Sequence, residues 1–426
     1  AYCQYPVCGP SRASFLSGLY PETTGVLSNT VDIRESRPGS VSMPERFKTN
    51  GYWTGSVGKI FHSSRHQHGE VAWDEQIMFQ NDELPLVTSA RKTYEEEHGS
   101  VELRANRKNW KAHLQKLSTQ TRGQTPPGYG PTNLGDEQHK DGKNVRQIID
   151  WLDQKSYGKK PFFMACGIQK PHVPFLAPRK YFDQYPVNKM KFALSPANDW
   201  EDMPALAMVK RFQAFGFEMG RENDSLRREY TQAYHACISY IDAQLGMLFD
   251  ALREHNLWEN TIVIFTSDHG YHLGEHFMWG KVTLFEECAR VPLIIRVPGM
   301  TRPGASTDAL VELVDFHPTL LELCGLPEQG LLQGKSLVPL LENPLLPGKK
   351  YAYTVVSRGQ KIGRSIRTRD WRYAEWGEAA LAELYNLKDD PNEYTNLAMK
   401  PAFRVQLGEM RKLLAEARKK AAAGKQ

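Results

Sequence analysis

Three short runs, PFFMACGI (161–168), NTIVIFTSD (260–268) and VPLIIRVPG (291–299), constrain the fold more than any other feature of this chain. Each has an apolar centre long enough for a buried strand and too short for a helix. Helical patterns alternate with them. NVRQIIDWLDQ (144–154) leads into the first run, and Tyr230, Ala233, Cys237, Ile241, Leu245, Leu248 and Leu252 recur at helical spacing before the second. VELVDFHPTLLELCG (311–325) reads as a helix ending on a glycine after the third. Buried strands separated by helices predict an α/β fold, a large, mostly parallel sheet sandwiched by helices, in which working groups sit on loops at the carboxyl ends of strands. The chain has 426 residues, 40% of them apolar, enough for one large unit and a smaller one. The texture changes after ENPLLPGKK to short alternating segments such as YAYTVVSR and SIRTRDWRYAEW. Residues 1–345 are therefore read as an α/β unit. Residues 346–426 are read as a smaller α+β subdomain with an antiparallel sheet and a terminal helix from about Pro401.

Charge and cysteine usage narrow the function. Lys and Arg number 54 against 49 Asp and Glu, a net +5, which is mild for this length and does not read as nucleic-acid binding. No apolar run approaches the roughly 18 to 20 residues that span a bilayer. Six cysteines at scattered positions form neither a disulfide framework nor a CxxC metal site. From Leu103 to Gly135 there is no acidic residue, while Arg104, Arg107, Lys108, Lys111, Lys116 and Arg122 occur, so the stretch is either a solvated insertion or a basic rim for a polyanion.

Chemistry concentrates at a few places. In SDHG (267–270), Asp268 directly follows a predicted strand, where a doubly wound sheet places ligands, and Asp is a hard oxygen donor for Ca²⁺ or Mg²⁺. His269 suits Zn²⁺ or Mn²⁺ better, and His272 and His276 could form a zinc cluster with it or simply line a glycine-broken loop. Lys59 and His62 follow the glycines of GYWTGSVGKIFH, Lys170 and His172 are stiffened by prolines in QKPHVPF, and Lys281 lies beyond the metal candidate. Together they predict a cavity in which an Asp and several cations meet a bound oxyanion.

CGPSRASFLSG (8–18) resembles the first signature of the sulfatase family, Cys-x-Pro-Ser-Arg followed by Leu, Thr and Gly, with Ser17 where Thr is usual. GYWTGSVGKIFH resembles the second, and the likeness continues through KPHVPF, TSDHGYHLGEH and ELYNLKDDPNEYTNL. It is nearest to the branch that includes iduronate-2-sulfatase, which the pairing of Asp268 with His269 favours. The resemblance implies an alkaline-phosphatase-like fold and hydrolysis of a sulfate ester, as of a sulfated uronic acid or other glycan. It implies that Cys8 is oxidised by a formylglycine-generating or other maturing enzyme to formylglycine, whose hydrate is the nucleophile. Arg12 would hold that hydrate, and Lys59, Lys281 and His172 would bind the sulfate, with His172 or Lys281 protonating the leaving alcohol. His62 would accept the proton that drives sulfate release, and Ca²⁺ would sit at Asp268, His269 and position 8. An exported setting, periplasmic, extracellular or lysosomal, goes with that activity. Cys3, without the Pro-Ser-Arg context, is expected to be a packed thiol.

One departure qualifies the resemblance. Members of the family carry, several dozen residues before the cysteine motif, a buried strand ending in paired aspartates that supply metal ligands. Here the cysteine is the eighth residue, so a truncated sequence and weak or absent Ca²⁺ binding by residues 1–426 are expected. Two other readings stay open: a phosphatase or phosphodiesterase of the same superfamily, and a non-catalytic relic that binds sulfated glycans.

Overall fold

The computed structural model describes residues 1–62, 69–79, 85–101, 103, 105, 106, 109, 110, 112, 113, 129–209, 223–300 and 302–424. The basic positions 104, 107, 108, 111, 116 and 122 lie outside them. At the centre, Glu75–Ile77, Trp53–Gly58 and Phe162–Gly167 form a parallel sheet in that order, with Trp53 opposite Phe162 and Gly58 opposite Gly167. A second parallel pair joins Tyr129–Thr132 to Phe175–Pro178.

Two apolar layers cover the central strands. On one side the helices Lys140–Asp153 and Asp224–Glu254 bring Ile148, Trp151, Leu152 and Leu248 against Trp53, Phe162, Met164 and Val263. On the other, the helices Met43–Thr49 and Phe316–Leu323 bring Met43, Phe47 and Phe316 against Phe163, Ile264 and Leu293. Trp151 is buried and edge-on to Trp53 at 5.3 Å, so truncating it would cost about 3–5 kcal/mol. The alternating pattern of strand and helix thus yields the expected three-layer α/β arrangement.

The structure corrects the sequence in two places. Trp53–Gly58, given no element there and noted only for the glycines before Lys59 and His62, is a wholly buried strand. Val263–Thr266 and Leu293–Arg296, expected in the parallel sheet, pair antiparallel with each other. A parallel return needs a long crossover, usually helical, and residues 267–292 hold only the 3-10 turn Glu275–Phe277, the four-residue helix Glu286–Ala289 and two-residue strands, so the chain doubles back.

Toward the carboxyl terminus, Ala352–Arg358, Lys361–Arg367, Trp371–Trp376 and Glu378–Asn386 form a sequential antiparallel sheet, backed by the helix Arg404–Ala422. Its apolar face does not form a separate core. Val355, Ile366, Trp376, Leu384 and Met410 share one cluster with Tyr5, Tyr20, Phe285 and Val314. The opening residues are stitched to its first strand: Val355 N–H donates to the Gln4 carbonyl at 2.9 Å and the Thr354 hydroxyl to the Cys3 carbonyl at 2.7 Å.

Candidate active site

Cys8 is the first residue of the helix Cys8–Ser17, entered from an extended Val7 and closed by Gly18 at φ 72°. Pro10 is tolerated because the first-turn amides have no intrahelical acceptor. Cys8 and Arg12, four apart, share a face, and that face looks into the site. The Cys8 Sγ receives Lys281 Nζ at 3.0 Å and lies 3.3 Å from His269 Nε2, which is itself 3.0 Å from Lys281 Nζ. Burial pushes the thiol up, but hydrogen bonds from His172, His269 and His62 outweigh it and hold Cys8 well below the ordinary thiol range. The sulfur therefore marks where an anion is stabilised.

Asp268 stands beneath this point. Its Oδ2 accepts Arg12 Nε at 2.7 Å, and Arg12 Nη1 donates to the Lys59 and Ile60 carbonyls. The Ser11 hydroxyl donates to the Asp268 carbonyl. Burial alone would raise the Asp268 carboxyl; Arg12 and His269 bring it down to about 2. It is an anion at any working pH. Carbonyl oxygens fix the tautomers of two histidines. His269 Nδ1 lies 2.8 Å from the Gly270 oxygen and His172 Nδ1 2.7 Å from the Val173 oxygen, so each Nδ1 donates to a carbonyl and each Nε2 is left to face position 8.

Lys59 and His62 are delivered by the end of the Trp53–Gly58 strand. Gly58 has φ 72°, and a Cβ there would lie 2.4 Å from both Asn144 Nδ2 and the Gly167 oxygen; one on Gly167 would lie 2.4 Å from Lys59 N. Only a glycine pair lets the two strand ends approach closely enough to aim Lys59 inward. Burial and the neighbouring Arg12 and Lys281 lower the Lys59 ammonium, while Cys8 and Asp268 raise it again in part. Burial also lowers His62, leaving it a proton acceptor near neutrality.

Cys8, Arg12, Lys59, His62, His172, Asp268, His269 and Lys281 therefore meet in one place. Other expectations separate from it. Lys170 Nζ turns to the Pro174 carbonyl at 2.9 Å and steadies its loop. His272 bonds Thr283 at 2.8 Å, and His276 belongs to a different acidic group, so the three histidines of the 269–276 loop form no zinc cluster. Cys3 is packed, its Sγ 3.6 Å from the Cys288 carbonyl, with burial pushing its thiol up. Supporting residues went unread in the sequence. Asn29 accepts Gly9 N–H at 2.8 Å from a loop without any pattern. Asp141 accepts Gln169 and Lys170 N–H at 2.8 and 2.7 Å. That one left a trace: Asp141 and Asn144 occupy the buried face of their helix with Ile148, and polar residues on an apolar face mark a job.

A family model described as Sulfatase matches residues 1–326. This chain belongs to the sulfatase family. It is a hydrolase of sulfuric esters with the alkaline-phosphatase-like fold. A second model, the C-terminal part of N-sulphoglucosamine sulphohydrolase, matches residues 274–420. A sulfatase of Formosa agariphila is 31% identical over 421 residues, 97% of this chain and 78% of the relative. The human iduronate 2-sulfatase is 30% identical over 487 aligned positions, 93% of this chain and 84% of that protein. A solved structure in complex with its substrate D-glucosamine-2-N,6-O-disulfate superposes with TM-score 0.72 at 22% identity, over 99% of this chain and 90% of the other.

Sulfatases generally use formylglycine and a divalent metal. In this sulfatase Cys8, Asp268 and His269 offer donor atoms within 4.8 Å of one another, the Cys8 sulfur standing where formylglycine oxygens would be. Ca²⁺ takes roughly six to eight oxygen ligands. Among the described residues the set supplies one carboxylate, itself paired with Arg12, one imidazole nitrogen and position 8, beside the cations Lys59 and Lys281. These donors by themselves do not fit Ca²⁺.

Proposed function

We propose that this sulfatase removes the sulfate ester of a 2-O-sulfated uronic acid within an acidic glycan, with position 8, converted from cysteine to formylglycine by a sulfatase-maturing enzyme, as its nucleophilic centre. The observation that carries the reading is the convergence of Lys281 Nζ, His269 Nε2 and the His172 and His62 rings on the Cys8 side chain, with Arg12 and Asp268 directly behind it. The hydrate of formylglycine would supply one hydroxyl, as its alkoxide, to attack sulfur and a second whose deprotonation re-forms the aldehyde as the C–O bond to the bound sulfate breaks. Around it, Lys59 and Lys281 neutralise the sulfate oxygens, and Arg12 orients the hydrate. His172 Nε2, when protonated, gives its proton to the alcohol oxygen as the S–O bond breaks. His62 takes the proton from the second hydroxyl. Residues 1–345 carry this machinery.

The uronate specificity rests on the 30% identity with iduronate 2-sulfatase over nearly the whole chain. A glycan of this class lies outside the cytoplasm, which supports export to the periplasm, the extracellular space or a lysosome. The test pairs mass spectrometry of the peptide around position 8 with sulfate release from disaccharides sulfated only at the uronate 2-O, the glucosamine 6-O or the glucosamine nitrogen, and from aryl sulfate and aryl phosphate. Aldehyde at position 8 and preferential 2-O release are expected. A thiol in active enzyme overturns the nucleophile, 6-O or N preference overturns the substrate, and faster phosphate release overturns both.

A further inference from the structure

We propose that His276, Glu287 and Glu393 form a second metal site, separate from the active site, that takes a borderline dication of the Zn²⁺ or Mn²⁺ kind. One ring nitrogen of His276 and one carboxylate oxygen from each glutamate lie within 4.8 Å of one another. His276 and Glu393 are wholly buried.

The His276 ring is fixed on every side. Its backbone N–H donates to the Ser195 hydroxyl at 2.8 Å, and its carbonyl accepts Trp200 Nε1 at 2.6 Å. The ring stacks on Phe285 at 4.2 Å between centroids and meets Tyr394 edge-on at 5.4 Å. Nδ1 lies 3.0 and 3.2 Å from the two oxygens of Asp199, a carboxylate with no solvent exposure. Nδ1 therefore carries the proton, and Nε2 presents a bare lone pair. Neither Nε2 nor Glu287 Oε2 has a hydrogen-bond partner among the described residues. An unpartnered buried acceptor is costly, and His276 Nε2 and Glu287 Oε2 are both of that kind. A carboxylate holding the far nitrogen of an imidazole is the usual outer support of a metal-ligating histidine.

Charge argues the same way. Glu393 is matched by Arg372, which also faces Glu383 at 3.5 Å. Glu286, which donates its N–H to Glu393 at 2.9 Å, spends its own carboxylate on Arg367 and the Tyr2 hydroxyl. Among the described residues Glu287 forms no ion pair, and its neighbours Glu393, Glu275 and Glu286 are all acidic. A dication at the meeting point supplies the missing charge and a partner for both bare acceptors. One nitrogen and two carboxylates suit Zn²⁺ or Mn²⁺ and fall short of an oxygen cage for Ca²⁺. His276 and Glu287 bracket Lys281, while Glu393 follows the C-terminal sheet, so the ion would pin the Lys281 loop to that unit.

The experiment uses the full chain carrying Asp268→Asn, which weakens the active-site donors, loaded with Zn²⁺ or Mn²⁺, dialysed and measured by mass spectrometry of metals and by thermal unfolding. About one ion per chain and a raised Tm are expected, both lost on adding His276→Gln or Glu287→Gln. Glu287→Gln keeps the shape and guards against a His276 variant that fails to fold. A folded Asp268→Asn chain that holds no ion, or holds the same amount with Glu287→Gln added, overturns the proposal in favour of a protonated Glu287 donating to His276 Nε2.

Discussion

Arg12 Nε lies 2.7 Å from Asp268 Oδ2, joining residues 256 apart at a point where both side chains are almost closed to solvent. Removing one member of such a pair leaves a buried charge uncompensated, at about 3–5 kcal/mol. Arg12→Ala is therefore expected to lower the Tm markedly and to abolish sulfate release. Arg12→Lys keeps the charge but cannot reach Asp268 and both the Lys59 and Ile60 carbonyls at once. It is expected to lose activity by roughly 100-fold with a smaller fall in Tm. Equal stability losses for the two variants, measured by thermal unfolding, would contradict this account.

Gly58→Ala tests the placement of Lys59 without touching substrate. The new methyl meets the Gly167 carbonyl at 2.4 Å in a backbone conformation that disfavours a side chain. A loss of about 2 kcal/mol or more is expected in urea unfolding, together with a fall in kcat. Unchanged kcat in the folded variant would mean that the strand end does not set the position of Lys59.

His172 is assigned the proton for the leaving alcohol, and leaving groups tell proton donors apart. An aryl sulfate needs little help and a sugar alcohol much, and general acids contribute roughly 10²–10⁴-fold. His172→Gln is expected to lower kcat/KM on a sulfated disaccharide about 100-fold more than on 4-nitrophenyl sulfate. If the selective loss follows Lys281→Met instead, the two roles exchange.

Stability should depend on pH through His317, buried beside the Gly18 that closes the Cys8 helix. Burial, helped by Arg46, lowers this imidazole to about 4 from 6.5. The unfolded chain takes the proton first, so stability is intact above about pH 6.5, falls as pH drops toward 4, and levels off below. The span is worth about 3 kcal/mol. Urea unfolding between about pH 4 and 7.5 should show this slope, and His317→Gln should flatten it.

The strands with apolar centres were legible because two covered faces demand apolar residues at every position. Trp53–Gly58 was not, since Gly55, Gly58, Thr54 and Ser56 weaken the strand signal, and its burial comes from Trp151 and the neighbouring strands rather than from its own composition. The antiparallel return of Leu293–Arg296 was hidden for another reason: apolar runs report burial and say nothing of direction. In the site, Cys8 and Arg12 were visible through fixed local spacing and Asp268 and His269 through their place after a strand. Lys59, His62, His172 and Lys281 looked ordinary singly. The grouping of His276 with Glu287 and Glu393 had no trace in sequence, because the third member arrives from beyond the C-terminal sheet.

The stitching of the opening residues to the C-terminal sheet sets a clock. Thr354, which holds the Cys3 carbonyl, leaves the ribosome 351 residues after its partner, a delay on the order of 20–70 s at common synthesis rates. Until then the segment around Cys8 lacks the strand that fastens it. In the finished fold Cys8 is 2% exposed. If position 8 is converted as proposed, the converting enzyme would find it most open during that interval, and slower translation of the carboxyl-terminal third should then raise the converted fraction, read by mass spectrometry of the peptide around position 8.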